Sequence, residues 1–168
     1  LDVSVLELEN RVMRRIVSEE VSDFFQKKHQ SEGVEFKFNA SISNIEDRGK
    51  QKRVICSDGS FFNADVVVVG AGIKPNIELA KSSGLTCNNG ILVDDNGRTS
   101  DCNIFAVGDC TNHPNNILKQ RLRLESVQNA VEQAQSIAAS IAGSHKPYQV
   151  VPWFWSDQYN IKLQIAGI

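Results

Sequence analysis

Charge of one sign, long apolar runs and paired cysteines are all missing from this 168-residue chain. Eighteen Lys and Arg stand against 20 Asp and Glu, a formal net charge of −2. That balance excludes the basic footprint of a nucleic-acid-binding domain. The longest apolar runs, such as Val66 to Val69, are far too short to span a bilayer, so no membrane role is expected. The four cysteines are Cys56, Cys87, Cys102 and Cys110. None forms a C-x-x-C pair, and no histidine is spaced to complete a zinc site. They are expected as reduced thiols in a cytoplasmic protein, with Cys102 and Cys110 flanking a strand rather than forming a redox disulfide. No secretory signal begins at Leu1, and there is no internal repeat.

What is present alternates between strand and helix signals. Leu1 to Glu7 reads as a strand with Val3, Val5 and Leu6 inward. Ser18 is placed to cap a helix from about Glu19 to Gln30, with Glu19 and Glu20 at its positive end and Val21, Phe24 and Phe25 on its apolar face. A β-meander follows, with strands at Val34–Phe38, Arg53–Cys56 and Phe61–Phe62. Val66 to Val69 leads into Gly70-Ala71-Gly72, and this β-branched run predicts a strand buried on both faces. Past Pro75 come a short helix, Asn76 to Ser83, a strand at Gly90–Asp94 and a turn at Asn96-Gly97. A strand over Ile104–Val107 ends at Gly108-Asp109, and a loop with Pro114 and three asparagines separates it from a long helix. That helix, about Glu125 to Ala142, has apolar spacing at Val127, Ala130, Val131, Ala134, Ile137, Ala138 and Ile141, with Gly143 closing it. Trp153 and Trp155 share one face of a further strand, and Leu163–Ile168 reads as another. His29, His113 and His145 read as surface or loop residues. Strands without neighbours at both ends lead us to expect a piece of a longer protein.

The chemistry is concentrated at Gly108-Asp109. A carboxylate after a glycine, where a strand ends, suits a polyhydroxyl ligand: it accepts hydrogen bonds while remaining ionised, and the glycine permits close approach. Open α/β sheets bind ligands at the carboxyl ends of their strands. The plain alternative is a turn aspartate.

Several blocks occur in a telling order: Val5-Leu6-Glu7, Ala64-Asp65-Val66 through Asn76, Thr99 to Asp109, Arg123-Leu124-Glu125-Ser126-Val127-Gln128-Asn129-Ala130, and Val151-Pro152-Trp153 through Tyr159. Together they resemble the FAD-dependent ferredoxin and rubredoxin reductases of bacterial oxygenase systems, within the pyridine nucleotide-disulphide oxidoreductase superfamily. The resemblance implies an α/β, Rossmann-type fold of the two-dinucleotide-binding, glutathione-reductase-like kind, partial here, with an inserted meander. It assigns residues 1–75 to the second part of an NAD-binding domain, 76–150 to the second segment of an FAD-binding domain, and 151–168 to the start of a C-terminal interface domain. The two G-x-G-x-x-G phosphate loops of the family do not occur in these 168 residues.

The same resemblance distributes roles. Glu7 accepts hydrogen bonds from the adenosine ribose of NAD and repels the 2′-phosphate of NADP; read alone it is a solvated strand-end carboxylate. Arg15 helps bind the adenosine side, although Arg14 and Arg15 are also the residue type that accepts a 2′-phosphate. Gly70, Ala71 and Gly72 let the nicotinamide side of NAD pass close to backbone, where a plain tight turn is the alternative. Gly108 and Asp109 take the ribityl chain of FAD. Glu125, Ser126 and Val127 open the long helix toward the flavin ring, and Ser126 doubles as a simple N-cap. Trp155 lies beside the flavin, with core packing as its alternative. Lys119, Arg121 and Arg123 form a basic knot that could steer an acidic ferredoxin or rubredoxin, or could be a solvated loop. The implied activity is hydride transfer from NADH to FAD, then single electrons to a [2Fe–2S] ferredoxin or a rubredoxin, with no side-chain acid, base or nucleophile. The alternatives are another flavoenzyme of the superfamily, such as an NADH peroxidase, nitrite reductase or disulfide reductase, or a non-enzymatic protein resembling apoptosis-inducing factor.

Overall fold

In a computed structural model that describes residues 1–144 and 147–168, the chain forms two compact units, Leu1–Ala71 and Gly72–Ile168. The expectation for His145 lies outside the described residues.

The first unit begins with β1 (Val3–Leu6), α1 (Glu19–Ser31) and β2 (Val34–Lys37). β1 and β2 pair in parallel, Val3 opposite Val34 through Leu6 opposite Lys37. A parallel pair needs a crossover, and α1 supplies it. Ser18 takes the extended N-cap conformation, and Gly33 ends the helix at φ +88°. Only part of the expected apolar face packs: Phe25 is buried, while Phe24 is 53% exposed. Ser22 is buried as well, because its hydroxyl donates to the Val12 carbonyl.

Alternation in Val34–Phe38 predicts a meander strand, yet β2 belongs to the βαβ pair. The meander consists of β3 (Ile42–Asp47), β4 (Lys52–Cys56) and β5 (Phe61–Ala64), in the order β3-β4-β5. β3 escapes sequence reading because it is an exposed polar edge, while central β4 buries Val54 and Cys56. The β4–β5 turn forms because the Asp58 carboxylate accepts from the Ser60 N–H and hydroxyl, and Gly59 takes φ +85°.

Val66 to Val69 is not a strand. Val66, Val68 and Val69 are 77%, 90% and 72% exposed. A β-branched run becomes a doubly buried strand only between neighbouring strands, and none of the described residues pairs with this one.

The second unit holds α2 (Glu78–Ser82), β6 (Ile91–Leu92), β7 (Thr111–Asn115), β8 (Gln120–Leu122), α3 (Val127–Ile141), β9 (Trp153–Gln158) and β10 (Ile161–Ala166). β7 is the middle strand, parallel to β6 and antiparallel to β8. β9 and β10 form a hairpin with Trp155 opposite Gln164. Two expectations are reversed. Ile104–Val107 makes a single bridge, Arg98 to Phe105, instead of a strand. The loop containing Pro114 is the strand β7. Its buried face carries Thr111, His113 and Asn115, so no apolar alternation announces it. Pro114 is tolerated because β6 pairs only with Thr111 and Asn112, and the missing N–H falls beyond that ladder.

α3 is rotated from its expected face. Of the seven apolar positions only Ile137 is buried, and Val127, Val131 and Ile141 are 62%, 48% and 62% exposed. The inward residues are Gln128, Asn129, Gln133, Ile137 and Ser140. The wall they meet presents N–H and O–H groups, and buried polar groups require partners. His113 is likewise interior, 1% exposed, with its ring edge-on to Tyr148 at 5.3 Å. Tyr148 is buried too, and its hydroxyl donates to Asn129 Oδ1 at 3.3 Å. Gly97 sits against Ile137: a Cβ there would lie 2.2 Å from Ile137 Cδ1. No helix among the described residues is long and apolar enough to cross a membrane.

Candidate functional site

The Gly108-Asp109 turn is built from backbone outward. Gly108 is buried at φ +82°, a conformation that favours glycine. Its N–H donates to Gln133 Oε1 at 2.6 Å, and its carbonyl accepts from Thr111 N at 2.9 Å. Asp109 is exposed; its carbonyl accepts from Arg123 Nη1 at 3.4 Å. Its carboxylate has no partner among the described residues, so its lone pairs face solvent.

Arg123 joins the turn to the start of α3. Its Nη1 pairs with Glu125 Oε1 at 2.6 Å, and its Nε donates to Asn89 Oδ1 at 3.1 Å. Gly90, at φ +119°, makes room: a Cβ there would sit 2.9 Å from the Cys110 carbonyl oxygen and 3.1 Å from Arg123 Cδ. Ser126 caps α3 by accepting from Asn129 N at 3.2 Å. The amides of Val127 and Gln128, in the first turn, have no intrahelical acceptor. The Gln128 side chain then fastens the tryptophan strand. Its Oε1 accepts from Trp153 N at 2.9 Å, and its Nε2 donates to Val151 O at 3.4 Å. Trp153 and Trp155 share a half-open face, their ring centroids 5.4 Å apart.

In this unit Arg123 therefore links the Gly108-Asp109 turn to Glu125, the residue before the Ser126 cap, and Gln128 ties β9 to the same helix end. Arg121 and Arg123 are not free members of a basic knot. Arg121 donates to the carbonyls of Val93, at 2.7 Å, and Asn112. Burial, with the positive charge of Arg121 adding, pushes the His113 imidazole down to about 4, so it is neutral at physiological pH. Burial raises the Tyr148 hydroxyl to about 12.

The other sequence-predicted residues lie in or beside the first unit. Glu7 directly follows β1; its N–H donates to Lys37 O and its carbonyl accepts from Ala40 N, both at 2.9 Å. Its Oε1 accepts from Glu9 N at 3.0 Å, which leaves Oε2 unbonded. Glu9 forms a salt bridge with Arg14, and the Arg11 guanidinium donates to the carbonyls of Val17, Ser18 and Arg14. Arg15 is exposed and has no partner among the described residues. Gly70, Ala71 and Gly72 are exposed, with open space at both glycine Cβ positions and Gly72 at φ +82°.

Sequence reasoning missed Gln133, Thr111 and the bonding roles of Arg123 and Gln128. A signal for Gln133 existed: Asn129 and Gln133 are four apart, so they form an amide stripe on one helix face.

The sequence profile of the pyridine nucleotide-disulphide oxidoreductases matches residues 1–134. The chain belongs to that family. Rhodocoxin reductase of Rhodococcus erythropolis is 45% identical over 169 residues, covering 100% of this chain and 40% of that protein. The ferredoxin reductase for the CYP199A2 system of Rhodopseudomonas palustris superposes with a TM-score of 0.94 at 43% identity, over 100% of this chain and 42% of that one. The putidaredoxin reductase of a covalent complex with putidaredoxin superposes with a TM-score of 0.94 at 38% identity, over 100% and 41%. The chain thus spans about two fifths of the length of such relatives, and its fold is the Rossmann-type α/β arrangement of the family.

Proposed function

We propose that this chain is part of an NADH-dependent flavoprotein reductase that passes electrons through FAD to a ferredoxin or rubredoxin. The observation that carries the reading is the Asp109 carboxylate, exposed and unpaired on a turn whose Gly108 N–H, Gly108 carbonyl and Asp109 carbonyl are all hydrogen-bonded. An unpaired carboxylate beside open space at Gly108, near a helix start with free amides, is the donor and acceptor set that a ribityl chain and an electron-rich flavin edge require. The residues present fit FAD on that ground. The similarity to proteins named as ferredoxin, rhodocoxin and putidaredoxin reductases supports the acceptor class.

Gly108 and Asp109 would hold the ribityl hydroxyls. Glu125, Ser126 and Val127 would face the flavin ring, and Trp155 would lie beside it. A bound flavin supplies the exchange between a two-electron hydride donor and one-electron acceptors. Glu7 and Arg15 would hold the adenosine side of NAD, with Gly70, Ala71 and Gly72 admitting its nicotinamide half close to backbone. The corresponding division is residues 1–75 to the nucleotide domain, 76–150 to the flavin domain and 151–168 to an interface domain. Four free thiols fit a cytoplasmic location.

The test is the intact protein, purified with its flavin. Stopped-flow absorbance should show bleaching by NADH, and a ferredoxin or rubredoxin should then be reduced in steady state. A protein that is bleached by NADH but delivers electrons only to peroxide or a disulfide belongs to another branch, and the acceptor assignment falls.

A further inference from the structure

We propose that Gln133 is a positioning residue for the flavin site: its buried amide oxygen locks Gly108 in the left-handed conformation and thereby aims the Asp109 carboxylate. The inference rests on the flavin reading above and names a residue that never touches the ligand.

Gln133 is 1% exposed and lies on the inward face of α3, 25 positions from Gly108 in sequence. Its Oε1 accepts from Gly108 N at 2.6 Å, the shortest bond made by the turn. The facing group is an N–H, so the side-chain atom there must be the oxygen. Thr111 closes the ring. Its hydroxyl lies 2.8 Å from Gly108 O and 3.1 Å from Gln133 Oε1, and its single proton serves one of the two. The Thr111 amide also donates to Gly108 O. Both polar groups of Gly108 are therefore bonded, and glycine by itself would not hold this conformation, since it has no side chain to bias φ. Without Gln133 the buried N–H loses its one partner among the described residues, and the peptide can rotate to find another. The adjoining carboxylate would rotate with it.

Four variants of the intact protein separate this idea from its alternatives. Gln133→Met keeps the length of the side chain and removes the acceptor. Gln133→Glu keeps an acceptor oxygen. Ile137→Val loosens the same helix one turn on, away from the turn. Asp109→Ala tests the flavin reading itself. The expected result is that Gln133→Met weakens FAD binding about tenfold, that Gln133→Glu recovers most of the loss, and that Ile137→Val lowers the melting temperature with a dissociation constant within about twofold of the parent. Amide hydrogen exchange, measured without flavin, should accelerate at Gly108 in Gln133→Met and remain slow in Ile137→Val. If Asp109→Ala loses FAD while Gln133→Met binds it as tightly as the parent, the positioning role is overturned and the flavin reading stands. If Asp109→Ala also keeps its FAD, both fall together. Should Gln133→Met fold poorly, Gln133→Glu and its Gly108 exchange rate decide: slow exchange with parental affinity supports the lock, and fast exchange with parental affinity removes it.

Discussion

The two carboxylates proposed to meet the nucleotide and the flavin, Glu7 and Asp109, are held by opposite means. Asp109 stands on a turn fixed by buried, neutral hydrogen bonds, the Gly108 N–H donating to Gln133 and the Thr111 N–H donating to Gly108, with a longer exposed bond from Arg123. Glu7 stands in a loop held by exposed charges, the Glu9–Arg14 pair and the Arg11 guanidinium on three carbonyls. Buried bonds in low dielectric are short and little affected by salt, and breaking one leaves an unsatisfied group. Exposed pairs contribute little and are screened. The contrast suits the proposed roles: a resident cofactor needs a rigid cradle, whereas a substrate nucleotide that binds and leaves at each turnover needs only an adaptable loop.

The largest effect should come from cutting the rigid site. In the intact protein, Asp109→Ala removes charge-assisted bonds worth roughly 1.5–3 kcal/mol each, so FAD affinity should fall by about 10- to 150-fold with little loss of fold. Equilibrium dialysis measures it, and unchanged retention would make Asp109 a turn residue. A cradle without phosphate loops should also be insufficient. The 168-residue chain alone, with no G-x-G-x-x-G, is expected to hold less than one equivalent of FAD by its visible absorption.

Next in size is a purely steric test of the same unit. Gly97→Ala places a methyl against Ile137 at a residue with φ +74°, and should cost about 1–3 kcal/mol in urea unfolding. In an Ile137→Ala background, itself destabilised by the cavity, Gly97→Ala should cost less than it does in the parent. An equivalent change at Gly59 in the first unit, where nothing lies within 4 Å, should cost only the backbone strain.

The buried polar wall also predicts an acid response. His113 has a folded-state value of about 4 against an ordinary 6.5, so between those values the unfolded chain binds the proton and the native chain does not. Stability from this group is present above pH 6.5 and drains away as pH falls toward 4, by at most about 3 kcal/mol. Chemical denaturation across that window should show the slope, and His113→Phe should flatten it. A slope that survives the substitution would place the acid sensitivity elsewhere.

How much of this was legible in the sequence follows the same division between local and non-local causes. The Ser126 cap and the succession of β1, α1 and β2 depend on local signals, capping and periodicity, and the sequence shows them; the parallel pairing of β2 with β1 it does not. The polar inner face of α3 and the strand β7 were not legible, because each is selected by the other: Thr111 and the Gly108 N–H meet Gln133 only after folding. Val66 to Val69 was misread for the converse reason. Its pattern describes neighbours that the described residues do not provide. Glu7 was legible as a strand-end acid, but the Glu9–Arg14 clasp beside it was not, since nothing in the spacing distinguishes a paired arginine from a free one.

That clasp gives the smallest effect and the sharpest test of the adaptable loop. Glu7 should make the intact enzyme prefer NADH, because its free oxygen suits a ribose hydroxyl and repels a 2′-phosphate. Arg14 is one of two neighbouring arginines able to attract that phosphate, and Glu9 holds it, while Arg15 is already unpaired in the parent among the described residues. Glu9→Gln should release Arg14 and raise kcat/KM for NADPH by roughly two- to fivefold, the equivalent of the 0.2–1 kcal/mol of an exposed pair. The value for NADH should barely move. The gain should shrink as ionic strength passes about 0.15 M, where screening acts within about 8 Å. Steady-state kinetics with both nucleotides at two salt concentrations decides it. A gain for NADPH that ignores salt would mean that the substitution reshaped the loop instead of freeing a charge. Equal use of the two nucleotides by the parent enzyme would remove the discriminating role of Glu7, and with it the contrast between a rigid flavin cradle and a charge-tuned nucleotide loop.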